Sequence, residues 1–280
     1  MKLSKEVKES LTKEQFRFYK QHGYLPSVEQ PTVATIEQPE ITPVDYDSEK
    51  ITVLCVKFGN KYGVNYVERL RNMVARHLTV PYEFACLTDD PNPIPGVRTI
   101  LQRSAGYLKP WWHKVHMFDP TLDIRGRILY LDLDVVICNN MNKLVENLKN
   151  EFMGIQDFNR KFHPNWKMLN SSVMSWRHGT QNEIWNKFVA NPSTAQRMHG
   201  DQDWTWHVAK DRIKFWPIEW IQSYKWEIRS REDLVVRTGK SGFKTVAHNL
   251  IVNPNCSIAV FHGDPNPDVV PDPFVVDNWR

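Results

Sequence analysis

Two aspartates stand at the end of a strongly apolar stretch of the chain. A strand is predicted at residues 127–133 (RILYLDL), and Asp132 and Asp134 lie at its end. Residues i and i+2 of a strand point to the same side, so we expect both carboxylates to face one ligand. Two carboxylates repel each other unless a cation lies between them, and oxygen ligands suit Mg²⁺ or Mn²⁺. Such an ion can bind a diphosphate and take up the negative charge that develops as the diphosphate leaves.

The same pair has a simpler interpretation. Asp132 and Asp134 could pair with lysine or arginine, or cap the following turn, and an isolated D-x-D is more often of this kind. The apolar strand in front of them favours a functional role, because unpaired charge is costly in buried surroundings.

Further candidate residues follow later in the chain. Asn170 and Ser171 are polar in an otherwise apolar stretch, which indicates a ligand or a turn. Residues 201–203 (DQD) begin a predicted helix, where they could orient hydroxyl groups and stabilise developing positive charge, or simply act as an N-cap. His262 follows an apolar strand and precedes a glycine, and it is either a metal ligand or a structural histidine.

Alternating strands and helices precede the aspartates. Strands are predicted at residues 51–58, 82–87 and 97–101, and helices at residues 65–78 and 110–118. This alternation predicts parallel βαβ units in an α/β sheet, whose ligands bind beyond the carboxyl ends of the strands. After the aspartates, the pattern predicts helices at 142–148, 180–189 and 202–209, and strands at 152–156, 213–218 and 258–262.

The N-terminal part of the chain differs in composition from the rest. Residues 1–49 predict an amphipathic helix and a proline-containing linker, and the main domain is expected at residues 50–280. The first residues have no apolar stretch like that of a signal peptide, and no stretch is long enough to span a bilayer. We therefore expect a soluble, cytoplasmic protein.

The composition excludes several classes of protein. Among 280 residues the net charge is +4, and no block of lysine and arginine indicates a nucleic-acid binder. A modest positive balance suits the handling of small anionic molecules. The four cysteines form no C-x-x-C pair, which argues against a zinc site or a disulfide scaffold and fits buried free thiols in a reducing compartment.

The aspartate segment resembles the D-x-D motif of GT-A-fold glycosyltransferases, in particular the retaining group that includes glycogenin and bacterial galactosyltransferases. Five further segments match that family in the same order, and the match covers roughly residues 50–267. The segments are the first strand with its Gly-Asn loop (residues 51–60), WHKV (112–115), LNSSVM (169–174), GDQD (200–203) and FHG (261–263). Each motif alone is weak, and their shared order is the strong signal.

The resemblance implies a GT-A-type fold, which is a Rossmann-like mixed sheet flanked by helices in a single catalytic domain. It implies transfer of a sugar from a nucleotide-sugar donor, most commonly a UDP-sugar, to the hydroxyl of a saccharide or another acceptor, with retention. Asp132, Asp134 and His262 would hold Mn²⁺ or Mg²⁺. The residues implied to bind the donor are Val56, Lys57, Tyr62, Lys114, Asp132, Asn170, Ser171 and Gly263. Asp201, Gln202 and Asp203 would lie at the reacting carbon.

The sequence departs from the family pattern in two places. Ser172 stands where the family often has glycine, which could crowd the sugar pocket. The family also has a basic residue shortly after the closing glycine, whereas Gly263 is followed here by DPNP. Either Lys114, Lys57 or an arginine takes that role, or the donor site differs. Three tryptophans are candidates for stacking on an acceptor sugar, with core packing as the alternative: Trp111, Trp112 and Trp166.

Two other functions are compatible with parts of the sequence. A haloacid-dehalogenase-type phosphatase also has a D-x-D at a strand end, with Asp132 as nucleophile, and a later G-D-x-x-x-D at residues 263–268. That family normally has its D-x-D on the first strand of the domain, and it leaves the NSS and DQD segments unexplained. The second alternative is an inactive glycosyltransferase-like protein that binds a partner or a nucleotide, for which the missing basic residue is the indication.

Overall fold

The computed structural model describes residues 50–102, 108–146, 148–229, 236–238, 242–244 and 250–280. The predicted N-terminal helix and linker lie outside the described residues, so the boundary near residue 50 stays a prediction. None of the helices in the described ranges is long and apolar enough to cross a membrane.

The described parts of the chain form twelve strands. They are β1 (Ile51–Lys57), β2 (Tyr82–Thr88), β3 (Arg98–Leu101), β4 (Arg127–Leu131), β5 (Val135–Ile137), β6 (Phe152–Gln156), β7 (Leu169–Arg177), β8 (Ile213–Phe215), β9 (Ile221–Ser223), β10 (Val236–Thr238), β11 (Gly242–Lys244) and β12 (Ile258–Val260).

Helices and helical turns connect these strands. The α-helices within the described ranges are α1 (Val64–His77), α2 (Asn182–Ala190), α3 (Pro192–Ala195), α4 (Asp201–Ala209) and α5 (Pro273–Asn278). The 3₁₀ segments there are Pro110–Phe118, Asn142–Leu144, Phe158–Lys161 and Pro267–Val269, and a π-turn spans Tyr224–Ile228.

A mixed sheet forms the centre of the fold. Within the described residues it has seven strands in the order β3-β2-β1-β4-β7-β6-β8. Strands β3, β2, β1 and β4 are parallel, β7 is antiparallel to both β4 and β6, and β8 is parallel to β6. A smaller sheet has the order β5-β12-β9, and β10 pairs with β11. This mixed α/β architecture is the predicted fold class.

Both faces of the large sheet are covered at its centre, which is why β1 and β4 are almost wholly buried. Alternate residues of β1 serve the two faces, since Val53 and Cys55 pack with α1 while Leu54 packs on the opposite side. The opposite layer contains Trp112 and Val115 of the 3₁₀ segment Pro110–Phe118. The same layer also receives α4, so the segments that carry Lys114 and residues 201–203 lie on one side of the sheet.

Gly126 allows β4 to begin beside β1. Its φ of 76° lies in the left-handed region, and a Cβ there would come within 1.9 Å of the carbonyl oxygen of Lys50. The next residue, Arg127, donates its backbone N–H to that oxygen at 3.0 Å. Ile51 and Arg127 then begin the parallel register of β1 and β4. Only glycine combines this conformation with so close an approach.

Several predicted elements differ in type from those observed. Residues 110–118 form a 3₁₀ segment rather than an α-helix, and the predicted helix at 142–148 is reduced to a short 3₁₀ turn, Asn142–Leu144. Leu169–Arg177, in contrast, is a buried strand of nine residues that the polar Asn-Ser-Ser sequence had suggested to be a turn or a ligand site. It is central because it lies between β4 and β6.

Candidate functional site

Two adjoining recesses open at the carboxyl ends of β1 and β4, where ligands of α/β sheets commonly bind. The larger recess has a volume of about 700 Å³ and the smaller one about 250 Å³. Four residues line both of them: Trp111, Asp132, Asp134 and Asp201. The D-x-D and D-Q-D segments therefore meet at one cavity.

The two aspartates lie at a turn, because β4 ends at Leu131, two residues before the predicted end of the strand at Leu133. Strand β4 ends at Leu131, and the chain then crosses to β5, which belongs to the smaller sheet with β12. Because the chain leaves one sheet for another, strict strand alternation stops at Asp132, whose N–H still bonds the carbonyl of Ser172 at 2.8 Å. Leu133 is buried between the aspartates, and both carboxylates line the cavity all the same.

Lys114 links the two acidic segments. Its ammonium group lies 3.0 Å from Oδ1 of Asp132 and 3.3 Å from Oδ2 of Asp201, and it donates to Oγ of Ser171 at 3.2 Å. These three acceptors match the three N–H donors of a lysine. Burial alone would lower the pKa of Lys114, but the charges of Asp132 and Asp201 outweigh it and raise the pKa. Lys114 thus stays charged and holds the carboxylates together.

Tyrosine hydroxyls bond both aspartates of the D-x-D. The hydroxyl of Tyr130 donates to Oδ1 of Asp132 at 2.5 Å, and that of Tyr62 donates to Oδ2 of Asp134 at 2.8 Å. Burial, with the charge of Asp132 as the next cause, raises the pKa of Asp134 to about 6. A positive charge close to Asp134 would therefore stabilise its ionised carboxylate.

The segment from β7 is tied to the start of α4. The backbone N–H of Ser171 donates to Oε1 of Gln202 at 3.1 Å, and its hydroxyl donates to Oδ2 of Asp201 at 3.1 Å. Burial raises the pKa of Asp201, although the charge of Lys114 opposes this shift. The N-cap of α4 is Gly200, so Asp201 does not cap the helix as the simpler interpretation proposed. Its carboxylate faces the cavity instead.

Asn170 and Asp203 complete this side of the larger recess. The side-chain oxygen of Asn170 accepts the backbone N–H of Ser172 at 3.1 Å. Asp203 lies in the first turn of α4, and both residues line the recess together with Ser172. The Ser172 that replaces the usual glycine is therefore part of the cavity wall.

His262 follows β12 of the smaller sheet and lines the same recess. Its ring stacks on Phe158 at 5.2 Å between centroids, meets Trp226 edge-on at 4.4 Å, and its Nε2 lies 2.7 Å from Oγ of Ser223. Burial, helped by the charge of Lys225, lowers the pKa of His262 to about 4. The imidazole is thus neutral at ordinary pH, which is the form that binds metals.

These groups fit a divalent cation in their chemistry. Asp132 and Asp134 supply carboxylate oxygens, and His262 supplies a neutral imidazole on the same cavity. Across the described ranges, no three His, Cys, Asp or Glu side chains lie close enough together to hold an ion as they stand.

Lys57 and Lys225 contrast with the expectations from the sequence. Lys57 does not line either recess, because its ammonium group turns to Asp90 at 3.8 Å. Lys225, which sequence reasoning missed, donates to the carbonyl of Asp264 at 3.0 Å and lies about 3.5 Å from the Cβ position of Gly263. The Lys225 ammonium group also interacts electrostatically with the Asp134 carboxylate. The segment after Gly263 thus has a cation beside it, supplied by a distant turn that no local motif indicates.

The remaining predicted donor residues line the smaller recess. Val56 and Tyr62 form part of its wall with Phe58, Lys61 and Pro110. Apart from Lys57, every residue that the resemblance implies for the donor, the metal or the reacting carbon lines one recess or the other.

The chain combines a mixed sheet with a D-x-D turn at its carboxyl edge, as the resemblance to GT-A-fold glycosyltransferases implies. LgtC has this fold, and a crystal structure of an active-site mutant of LgtC resembles the chain with a TM-score of 0.53 at 11% identity, covering 77% of this chain and 89% of LgtC. LgtC in complex with donor and acceptor sugar analogues gives a TM-score of 0.52 at 12% identity. The predicted resemblance to GT-A-fold glycosyltransferases is therefore confirmed for the fold.

Two longer glycosyltransferases share less of their length with the chain. The bifunctional glycosyltransferase WbbM has a TM-score of 0.53 at 12% identity, covering 81% of this chain but 48% of WbbM. GlyE of Streptococcus pneumoniae TIGR4 has a TM-score of 0.47 at 15% identity, and the chain spans 46% of it. No protein-family model matches the sequence, and no curated protein matches it either.

Proposed function

We propose that this protein is a glycosyltransferase that moves a sugar from a UDP-sugar to an acceptor hydroxyl. The observation that carries the proposal is the position of Lys114, which joins Asp132 of the D-x-D to Asp201 of the D-Q-D within hydrogen-bonding distance. Residues of two motifs that are about seventy residues apart in the sequence thus line one cavity. The shared fold with LgtC supports the same assignment.

The two recesses suit different parts of a nucleotide sugar. The smaller recess has an apolar wall from Val56, Phe58 and Pro110, which suits a base and ribose, and Lys61 and Tyr62 add polar groups. The larger recess is lined by Asn170, Ser171, Asp201 and Gln202, which suit sugar hydroxyls. The diphosphate would then lie between them, next to the D-x-D.

The charges around this junction favour a bound metal and an anion. Asp132, Asp134 and His262 would hold Mn²⁺ or Mg²⁺, which supplies charge neutralisation for the leaving diphosphate. Lys225, next to Gly263, takes the place of the basic residue that the DPNP sequence lacks. Lys114 already has three acceptors, so we assign it to holding the carboxylates rather than to the phosphates.

In the proposed reaction, the acceptor oxygen bonds to the anomeric carbon while the bond from that carbon to the diphosphate breaks. The hydroxyl proton passes to the departing diphosphate, and attack from the side of the leaving group gives retention. Asp201 and Gln202 would stabilise the positive charge that develops on the sugar, because Lys114 and Ser171 hold the Asp201 carboxylate at the wall of the larger recess.

The phosphatase alternative is less compatible with the arrangement of its second motif. Asp268, which would help to hold Mg²⁺, hydrogen-bonds Tyr66 and lines a separate recess beside Arg69. Asp132, the supposed nucleophile, accepts from Tyr130 and Lys114 on the same oxygen, Oδ1. Both contacts favour a fixed carboxylate over an attacking one.

One experiment separates the three functions. Purified protein with Mn²⁺ is given UDP-glucose, UDP-galactose and UDP-N-acetylglucosamine, each with a mixture of simple glycosides, and the release of UDP is measured. In parallel it receives p-nitrophenyl phosphate with Mg²⁺. We expect UDP release that is lost in Asp132→Asn, and no ester hydrolysis. Phosphate release that Asp132→Asn abolishes would instead establish the phosphatase, and UDP binding without turnover would favour the inactive binding protein.

A further inference from the structure

Trp111 presents an exposed aromatic ring to the cavity. Its side chain is 44% exposed, and it lines both recesses. The other large apolar side chains that are exposed in the described ranges, including Phe162 and Trp166, line neither of them. An exposed tryptophan at a cavity is an apolar surface that a ligand can cover.

The surroundings of Trp111 cover only part of its ring. Its neighbour Trp112 is buried and stacks on Phe188 at 5.7 Å, whereas no aromatic ring of the described residues stacks on Trp111. The backbone at Gly200 approaches the pyrrole edge, since a Cβ there would lie 3.6 Å from Cδ1. The ammonium group of Lys109 lies 5.2 Å from the ring centroid. Core packing therefore accounts for Trp112 but not for Trp111.

The position of the ring indicates which ligand covers it. The smaller recess, with its apolar wall, is the part assigned to the base and ribose. Trp111 also lines the larger recess, together with Lys109, His199 and Asp203. A ligand that covers the ring there meets both an aromatic surface and hydrogen-bonding groups. That combination matches a pyranose, which has an apolar face of C–H groups and a rim of hydroxyls.

We propose that Trp111 is the acceptor platform, on which a saccharide stacks through the apolar face of its ring. This proposal rests on the sugar-transfer function proposed above and names the acceptor as a carbohydrate. Lys109, His199 and Asp203 bond its hydroxyls, and the stacking holds one hydroxyl towards the donor sugar beside Asp201 and Gln202. The face of the pyranose, rather than a single hydroxyl, is then the feature that the protein recognises.

Saturation-transfer NMR tests the platform without requiring turnover. The probes are methyl β-D-galactopyranoside and methyl β-D-glucopyranoside, added to the protein with Mn²⁺-free buffer and UDP. We expect saturation of the ring protons H3 and H5 of at least one glycoside in the wild type. Trp111→Ala should lose this signal, and Trp111→Phe should keep part of it, because phenylalanine still offers an aromatic face.

Trp166→Ala is the matched control, since Trp166 is 40% exposed but does not line the cavity. It should bind the glycosides as the wild type does. Titration calorimetry in the presence of Mn²⁺ measures the Kd for UDP. The Kd of Trp111→Ala should lie within about twofold of the wild-type value, equivalent to about 0.4 kcal/mol. A tenfold weaker UDP affinity would overturn the proposal by assigning the ring to the base.

The remaining outcomes are also decisive. Equal glycoside saturation in the wild type and Trp111→Ala, or no saturation with either glycoside, would overturn the platform. If glycosides saturate through Trp111 but no UDP-sugar is consumed, the saccharide site stands and the transferase function fails. If a UDP-sugar is consumed but Trp111→Ala has an unchanged KM for its acceptor, the function stands and the platform fails.

Discussion

Lys114 is enclosed by groups that explain both its charge and its location. Burial lowers the pKa of a lysine that has only 15% of its side chain exposed, because it disfavours the ammonium form. Here two carboxylates and a hydroxyl surround it, and the charged state is retained. The same contacts restrain Asp132 and Asp201. The lysine is thus a structural partner of the acidic groups and not a free cation at the cavity.

Removing this lysine tests that interpretation. Lys114→Met should lower the free energy of unfolding by about 3 kcal/mol, because it leaves two partly buried carboxylates without their partner. Lys187→Met, which removes a lysine from the exposed pair with Glu183, should change stability by less than about 1 kcal/mol. Urea denaturation followed by circular dichroism measures both. Equal stability of the two variants would show that Lys114 is not held as described.

Lys225 is expected to act on the ligand rather than on the fold. Lys225→Met removes the cation beside Gly263, so the Kd for UDP with Mn²⁺ should rise by about tenfold, equivalent to about 1.4 kcal/mol. Stability should change little, because Lys225 bonds only a backbone carbonyl among the described contacts.

Lys143→Met provides the comparison for Lys225. Lys143 also donates to a backbone carbonyl, that of Asn255, but the charged groups that act on it are Cys256, Cys138 and Glu219 and not Asp134. Calorimetry should find its Kd for UDP unchanged. A Lys225→Met variant that binds UDP as tightly as Lys143→Met would remove Lys225 from the anion site.

The chemistry of individual residues could be predicted where motif and burial coincide. Asp132, Asp134 and residues 201–203 line the cavity as expected from their types and order. Lys225 could not be found in this way, because its role depends on a contact with a segment about forty residues away. Lys57 lies outside both recesses because its ammonium group turns to Asp90, near the end of the neighbouring strand, a pairing that the sequence does not reveal.

At the level of elements, short helical segments proved harder to predict than long ones. Helix α1 was predicted to within one residue at each end, because five buried residues recur along one face over fourteen residues. Pro110–Phe118 has too few turns for such a pattern, and six of its nine residues are buried on both sides of the backbone. Its helical type was therefore set by packing around Trp112, His113 and His116 and not by a local periodicity.

The buried histidines of this 3₁₀ segment give stability a dependence on pH. His116 is buried with no hydrogen bond to either ring nitrogen in the described structure, and it lies against His113 and Trp185. Burial, followed by the charge of His113, lowers the pKa of His116 from 6.5 to about 4, while Asp119 acts weakly in the opposite direction. The folded protein therefore resists protonation that the unfolded chain accepts.

The sign follows from the two pKa values. Well above pH 6.5, His116 is neutral in both the folded and the unfolded protein and does not lower the free energy of unfolding. As the pH falls from 6.5 to about 4, only the unfolded protein gains the proton. His116 should thus cost about 3 kcal/mol of unfolding free energy over that window. His116→Phe should reduce the fall between pH 7 and pH 4 by that amount in urea titrations. Parallel stability curves for the two proteins would contradict the buried neutral state.

Across the whole molecule, the pairing of strands decides where the site lies. The sequence predicts parallel βαβ units, and β1 to β4 follow that rule, but β7 enters the sheet antiparallel between β4 and β6. That insertion brings Ser171 opposite the D-x-D turn. Local patterns do not encode which strands pair, so the mixed order was available only from the family resemblance. The site is consequently a property of the sheet as a whole.

The junction of β1 and β4 offers a test at this scale. Gly126→Ala places a Cβ within 1.9 Å of the Lys50 carbonyl and also requires a φ of 76°, so the register of the two central strands must shift. Gly179→Ala has a comparable φ of 82° but open space around its Cβ. We expect Gly179→Ala to lower the free energy of unfolding by about 1–2 kcal/mol, from backbone conformation alone. Gly126→Ala should lower the free energy of unfolding by at least about 2 kcal/mol more than Gly179→Ala does. Urea denaturation measures both, and equal losses would mean that the two strands do not approach as closely as this register requires.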